Sequence, residues 1–235
     1  MAYEFTPKTI LYPSEVFDDV FECIMSELVT IVAESNSKTT FALDLISRNA
    51  DKGIKYYINL EFPMETVWQS KWLWFNNKSK ACLTNLEMLS DEEKEDMKRY
   101  VDKNLKKYQY YSQPNISLQK LAQVISVAAM DYKLIVIDSF SMIHGNSNDA
   151  RGNQNKCMQE LQEIAQRLDV AIIVLHHTNR QTWEGSQKIM DLSNVMIVIS
   201  KEKDAEEEYR NYALIKDKYV TNRDVDVYYR RYERF

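Results

Sequence analysis

The segment from Leu28 to Leu45, LVTIVAESNSKTTFALDL, constrains the fold more than any other part of the chain. From Leu28 to Ala33 every residue but Thr30 is apolar, which suits a strand covered on both faces. From Thr39 to Ser47 the apolar positions Phe41, Leu45 and Ile46 recur at helical spacing. A strand that turns into a helix through Lys38-Thr39 presents backbone N–H groups, an ammonium and a hydroxyl to phosphates. The usual spacing is G-x-x-x-x-G-K-[ST]; here Ser37 precedes the lysine, and Val32 or Ala33 stands where the first glycine belongs. If Ser37 must enter the left-handed region it costs roughly 1–2 kcal/mol, or else the loop is one residue short. The chain holds only four glycines, so general glycine poverty explains the loss as well as altered activity does.

At 235 residues with 45% hydrophobic and 28% charged positions, the chain can bury a sizeable core, and no apolar run is long enough to cross a bilayer. The N-terminus lacks a basic head followed by an apolar run, and Cys23, Cys82 and Cys157 have no metal-ligand spacing. These features predict a soluble, cytoplasmic protein with no membrane partner. A net charge of −5 argues against a surface coated for nucleic acid, yet leaves room for a few basic loops around a channel.

Residues 1–27 read as a lead-in segment with a short helix over Glu15–Met25, and residues 28–235 as one domain. Gly53 closes the first helix and Lys55–Leu60 reads as a strand. Pro63–Asn76 reads as a helix whose Trp68 and Trp72 are core residues rather than base-stacking ones. Ser90-Asp91-Glu92-Glu93 starts a charged helix running through Leu105 with a capping box. A short strand at Tyr108–Ser112, a helix over Ser117–Ala129 and a strand at Leu134–Ile137 follow. The spacing then predicts a polar loop over Gly145–Asn155, a helix to Leu168 and a strand at Val170–Leu175. This alternation predicts an α/β fold with a mainly parallel sheet flanked by helices. Val195–Ser200, Tyr209–Lys216 and Asp224–Tyr232 read as strands that extend the sheet antiparallel at its edge.

Three strand ends carry candidate chemistry. Asp138 ends the run LIVI, as a buried strand does when it delivers a carboxylate to a phosphate-bound Mg²⁺; capping the next segment is the alternative. Glu61 ends Tyr57-Ile58-Asn59-Leu60 on a strand expected beside that of the phosphate loop, where it would polarise a water attacking a γ-phosphate. Taken alone, Glu61 reads as a solvated loop acid. His176 and His177 follow the strand Val170–Leu175 at the same edge. Adjacent residues of an extended segment point to opposite sides, and no standard ligand cluster accompanies them, so zinc is not expected. His177 is assigned to the γ-phosphate and His176 to packing.

Taken together, the motifs resemble the RecA-like motor domain of DnaB-type hexameric replicative helicases, with RadA- and RepA-like ATPases as relatives, from Phe17 onward. Ser37-Lys38-Thr39-Thr40-Phe41-Ala42-Leu43 stands for the family's G-K-T-T-F-A-L, and Asn59-Leu60-Glu61-Phe62 for its S-L-E-M. Leu89-Ser90-Asp91-Glu92 matches L-S-D-E, Val136-Ile137-Asp138 matches V-I-D, and His176 to Arg180 stands for S-Q-L-N-R. The resemblance implies a RecA-like P-loop NTPase fold with Ala33, Glu34, Ser35, Asn36, Ser37, Lys38, Thr39 and Thr40 around ATP. It implies Thr39 and Asp138 on Mg²⁺, Glu61 as activator of water and His177 in place of the sensor glutamine. Lys216 and Lys218 fall where the family's K-x-R reaches into a neighbour's ATP site. Arg151, Asn153, Arg180, Trp183, Gly185 and Ser186 fall where relatives line a channel for single-stranded DNA, with ordinary solvated loops as the alternative. A homo-oligomeric ring or filament, replication partners and helicase or translocase action are further expectations. Ser37 for glycine and Lys218 for arginine depart from the pattern and keep open a pseudo-ATPase loader or scaffold, or a recombination ATPase.

Overall fold

A computed structural model describes residues 27–33, 38–48, 55–144, 150–177, 187–200, 209–217 and 226–230. Strand β1 (Leu28–Ala33) leads to helix α1 (Lys38–Arg48), β2 (Lys55–Asn59) to α2 (Met64–Phe75), and two 3-10 turns to α3 (Asp91–Lys107). Then come β3 (Tyr110–Ser112), β4 (Ile116–Ser117), α4 (Leu118–Ala128), β5 (Leu134–Asp138), β6 (Ile143–His144) and α5 (Ala150–Leu168). The chain continues through β7 (Ala171–His177), α6 (Gln187–Leu192), β8 (Val195–Ser200), β9 (Tyr209–Asp217) and β10 (Asp226–Arg230).

The main sheet has the order β10-β9-β8-β1-β7-β5-β2-β3. All pairings from β8 to β3 are parallel, whereas β9 and β10 join antiparallel. A separate parallel pair, β4 with β6, lies beside it. Every residue of β1 and of β5 is buried, as continuous apolar runs demand when helices cover both faces. Alternation divides the core in two. Val29, Ile31, Tyr57, Val136, Ile173 and Leu175 pack toward α1, α2 and α3. Leu28, Ile58, Ile135, Ile137, Ile172 and Val174 pack toward α4, α5 and α6.

Local signals explain several boundaries. At the start of α3, Ser90 and Glu93 form a reciprocal capping box, each side chain accepting from the other's backbone N–H. Trp68 is buried and stacks on Tyr108 at 5.4 Å, while the Trp72 indole donates to Asp96 at 2.9 Å, so both tryptophans belong to the core.

Four expectations are corrected. Val195–Ser200 is not part of an antiparallel extension: β8 lies parallel to β1 and directly beside it, because α6 carries the chain back across the sheet before it. The strand carrying Glu61 is not the neighbour of β1, since β7 and β5 intervene. The polar loop over Gly145–Asn155 is shorter than expected, as α5 already begins at Ala150. Finally, β7 runs through both histidines rather than stopping at Leu175. Among the described residues no helix is long and apolar enough to cross a membrane.

Candidate functional site

Sheet parity decides which side chains meet. Tyr57 and Val136 pack toward α1, so Asn59 and Asp138, two residues further along their strands, share that face; Leu175 puts His177 there too. Lys38 and Thr39 open α1 on the same side. The carboxyl ends of β1, β7, β5 and β2 therefore bring together Lys38, Thr39, His177, Asp138 and Glu61.

Asp138 is 3% exposed. Its Oδ2 accepts from Thr39 Oγ1 and from the Tyr57 hydroxyl, both at 2.6 Å. Its Oδ1 is buried with no hydrogen-bond partner among the described residues. Burial raises the Asp138 pKa, the Thr39 and Tyr57 hydrogen bonds oppose that, Glu61 adds to it and the Lys38 charge offsets part. The phenol of Tyr57 is raised well above its ordinary value, by burial first and then by the neighbouring carboxylate.

Lys38 is 3% exposed, and its Nζ lies 2.8 Å from Nδ1 and 3.0 Å from Nε2 of His177, over the edge of the ring. Burial lowers the lysine pKa, while Asp138 and Glu61 raise it. Glu61 Oε1 sits 3.5 Å from His177 Nε2 and accepts from the Ser139 hydroxyl, which also contacts Ser141 at 2.9 Å. The His177 contact is the largest influence on Glu61 and holds its carboxyl below the usual value; burial opposes this, and Ser139 and Lys38 support it.

Glu61 is held from below. Asn59 is 1% exposed and its Oδ1 accepts from the backbone N–H of Glu61 at 3.0 Å and of Phe62 at 3.1 Å, an Asx turn that bends the chain at the strand end. His176 points to the opposite face, edge-on to Phe140 at 5.5 Å, and burial pulls its pKa down to about 4.

A carboxylate with one free buried oxygen, beside a hydroxyl and near a lysine, suits Mg²⁺, which keeps waters and phosphate oxygens in its shell. No cluster of three or more His, Cys, Asp or Glu able to hold a metal occurs among the described residues. Thr40 lies on the next position of α1 and, with Thr39, Phe62, Lys71 and Trp74, lines a cavity of about 350 Å³ between α1 and α2.

The other candidates fall elsewhere. Ala33 pairs with His177 at the end of β1, while Glu34, Ser35, Asn36 and Ser37 lie outside the described residues. Lys216 pairs with Met196, toward the opposite end of the sheet from this chain's own site, and Lys218 is outside the described residues. Arg151 and Asn153 sit in the first turns of α5 rather than on a loop, and Arg180, Trp183, Gly185 and Ser186 are not among the described residues. Tyr57, Asn59 and Ser139 belong to the site although the motifs do not single them out. Period-2 parity counted back from Glu61 is the signal that finds the first two.

Comparison with solved structures supports this fold. One solved structure, described as an ATPase domain, superposes with a TM-score of 0.69 at 14% identity, covering 86% of this chain and 80% of that one. A DnaB-like replicative helicase, solved with regard to its interactions with primase, gives 0.69 at 13% identity, covering 87% of this chain. The chain spans 55% of the length of that helicase. At such identities the likeness is one of fold. No curated protein sequence matches the chain significantly. Residues 20–182, well over half of the chain, match the family model described as AAA domain. The chain belongs to this AAA-domain family and has the RecA-like fold seen in DnaB-type helicase ATPase domains.

Proposed function

We propose that this chain is an ATP-hydrolysing motor domain that acts on single-stranded DNA as a homo-oligomer. The observation that carries the reading is the convergence of Lys38, Thr39, Asp138, Glu61 and His177 on one sheet edge, with Asp138 Oδ1 buried and unpartnered. Lys38 is positioned to leave the His177 ring and pair with a β- or γ-phosphate. Thr39 already gives its proton to Asp138, so its lone pairs would be available to a cation. Mg²⁺ held by Thr39 and, through water, by Asp138 would supply charge neutralisation at the phosphates. Glu61, kept ionised by its contacts, accepts the proton of the attacking water, and Ser139 with the Asn59 turn fixes its aim. His177 bridges the general base and the lysine, so it is placed to respond when Lys38 moves to phosphate. The likeness to helicase ATPase domains favours DNA as the track, with Arg151, Asn153, Arg180, Trp183, Gly185 and Ser186 as candidate contacts. Lys216 and Lys218 are candidate groups supplied to a neighbouring subunit.

ATP turnover measured with and without single-stranded DNA tests this reading. The wild type is expected to exceed the Lys38→Ala and Glu61→Gln variants by about 10²-fold or more, the usual contribution of a positioned general base. Turnover no higher than in those variants would show that the site is not a hydrolytic one.

A further inference from the structure

Tyr57 lies one step back along the sheet from the groups that would touch nucleotide, and it grips the carboxylate on which the cation site depends. It is 1% exposed on the α1 face of β2. Its Cα pairs with Val136, and Asn59 pairs with Asp138, so Tyr57 and Asp138 are diagonal neighbours on one face of the sheet. A shorter side chain at that position would not span the diagonal; the phenol does, and its hydroxyl donates to Oδ2 at 2.6 Å.

We infer that Tyr57 is a positioning residue for a divalent cation at the phosphate site, fixing the Asp138 carboxylate so that Oδ1 faces the metal's water. This inference rests on the phosphate-site reading proposed above. An aspartate offers two equivalent oxygens and turns about its last torsion, which is broad. Two donors on the same oxygen, Thr39 and Tyr57, remove that freedom and leave the other oxygen buried and unpaired. With Thr39 as the one remaining donor, the carboxylate keeps a single hydrogen bond about which it can still turn. With the phenol gone, Asp138 can swing Oδ1 away and pair with Lys38, which lies close enough to shift its pKa. Outer-shell hydrogen bonds of this type govern metal affinity in proteins whose ligands are themselves unchanged.

The test is Tyr57→Phe, which keeps the ring and removes only the donor. Binding of a fluorescent ADP analogue is titrated with Mg²⁺ and, separately, with Mn²⁺, alongside binding in excess chelator and a thermal melt without metal. The half-saturating Mg²⁺ concentration should rise about tenfold, while metal-free nucleotide affinity moves far less. A role in packing alone would lower the melting temperature and leave the metal titration where it was, and that result overturns the inference. Wild-type protein that binds the analogue no better with Mg²⁺ than with chelator overturns the phosphate-site reading and this inference with it. Should Tyr57→Phe fail to fold, 3-fluorotyrosine at position 57 replaces it. A stronger donor of nearly the same size should shift the Mg²⁺ titration, and an unmoved titration again overturns the inference.

Discussion

Truncating Asn59 to alanine separates what its amide does for the fold from what it does for Glu61. The side chain is 1% exposed, and its Oδ1 accepts two backbone N–H groups, from Glu61 at 3.0 Å and Phe62 at 3.1 Å. Each such bond contributes about 1 kcal/mol net. Phe62 is 56% exposed, so water can reach its freed N–H and recover part of one of them. The expected loss of stability is therefore about 1–2 kcal/mol, read as a lower urea midpoint with an unchanged slope. The effect on turnover should be larger in proportion, because the turn sets where the carboxylate lies. A displacement near 1 Å costs about 10²-fold in rate. Steady-state ATP turnover at saturating nucleotide measures it, and a double-mutant cycle locates it. In the Glu61→Gln background, Asn59→Ala should keep its full stability cost and add no further loss of rate. If Asn59→Ala slows the Glu61→Gln variant by the same factor as the wild type, Asn59 does not act through Glu61. Unchanged turnover in the single variant would refute the positioning argument outright.

The half-buried imidazole of His176, pulled down to about 4 mainly by desolvation, makes stability depend on pH. A histidine depressed in the folded state contributes no penalty above its unfolded value near 6.5, and stability falls as pH drops from there toward the folded value. The loss is on the order of 3 kcal/mol, and His176→Leu should flatten it in urea melts taken between pH 7 and pH 4; a variant with the parental slope contradicts the assignment. Removing the Ser90 hydroxyl should cost about 1 kcal/mol, since it caps α3 on an exposed surface where packing does not mask the effect. Equal urea midpoints for Ser90→Ala and the parent would mean that the capping box adds nothing to stability.

The parts of the fold that local pattern controls are legible in the chain itself. The run Leu28–Ala33, apolar but for Thr30, the helical spacing after Thr39, the capping box at Ser90 and the acid-terminated run LIVID each form the element expected. Period-2 alternation also places His176 and His177 on opposite faces of β7. What escapes depends on connections and register. VMIVIS reads the same in a parallel or an antiparallel pairing, and only the return through α6 makes β8 the second neighbour of β1. Strand order puts two strands between β1 and the strand that leads to Glu61, and no local signal encodes order. The first two turns of α5, ARGNQNK, carry no large apolar residue, so its helical periodicity starts only at Cys157 and its start reads as loop. The Tyr57–Asp138 contact is diagonal across two strands and follows from the β2–β5 register alone.

The groups of the site sit at the ends of β1, β7, β5 and β2, which are successive strands of one sheet. Three inter-strand steps separate the first from the last, about 14 Å at the usual spacing. The sheet is thus a gauge that spaces the lysine from the strand carrying Glu61, and the Asn59 turn returns Glu61 across part of that gap to within 3.5 Å of His177. A rotamer change alters one distance on such a gauge, whereas a change of twist alters all of them together.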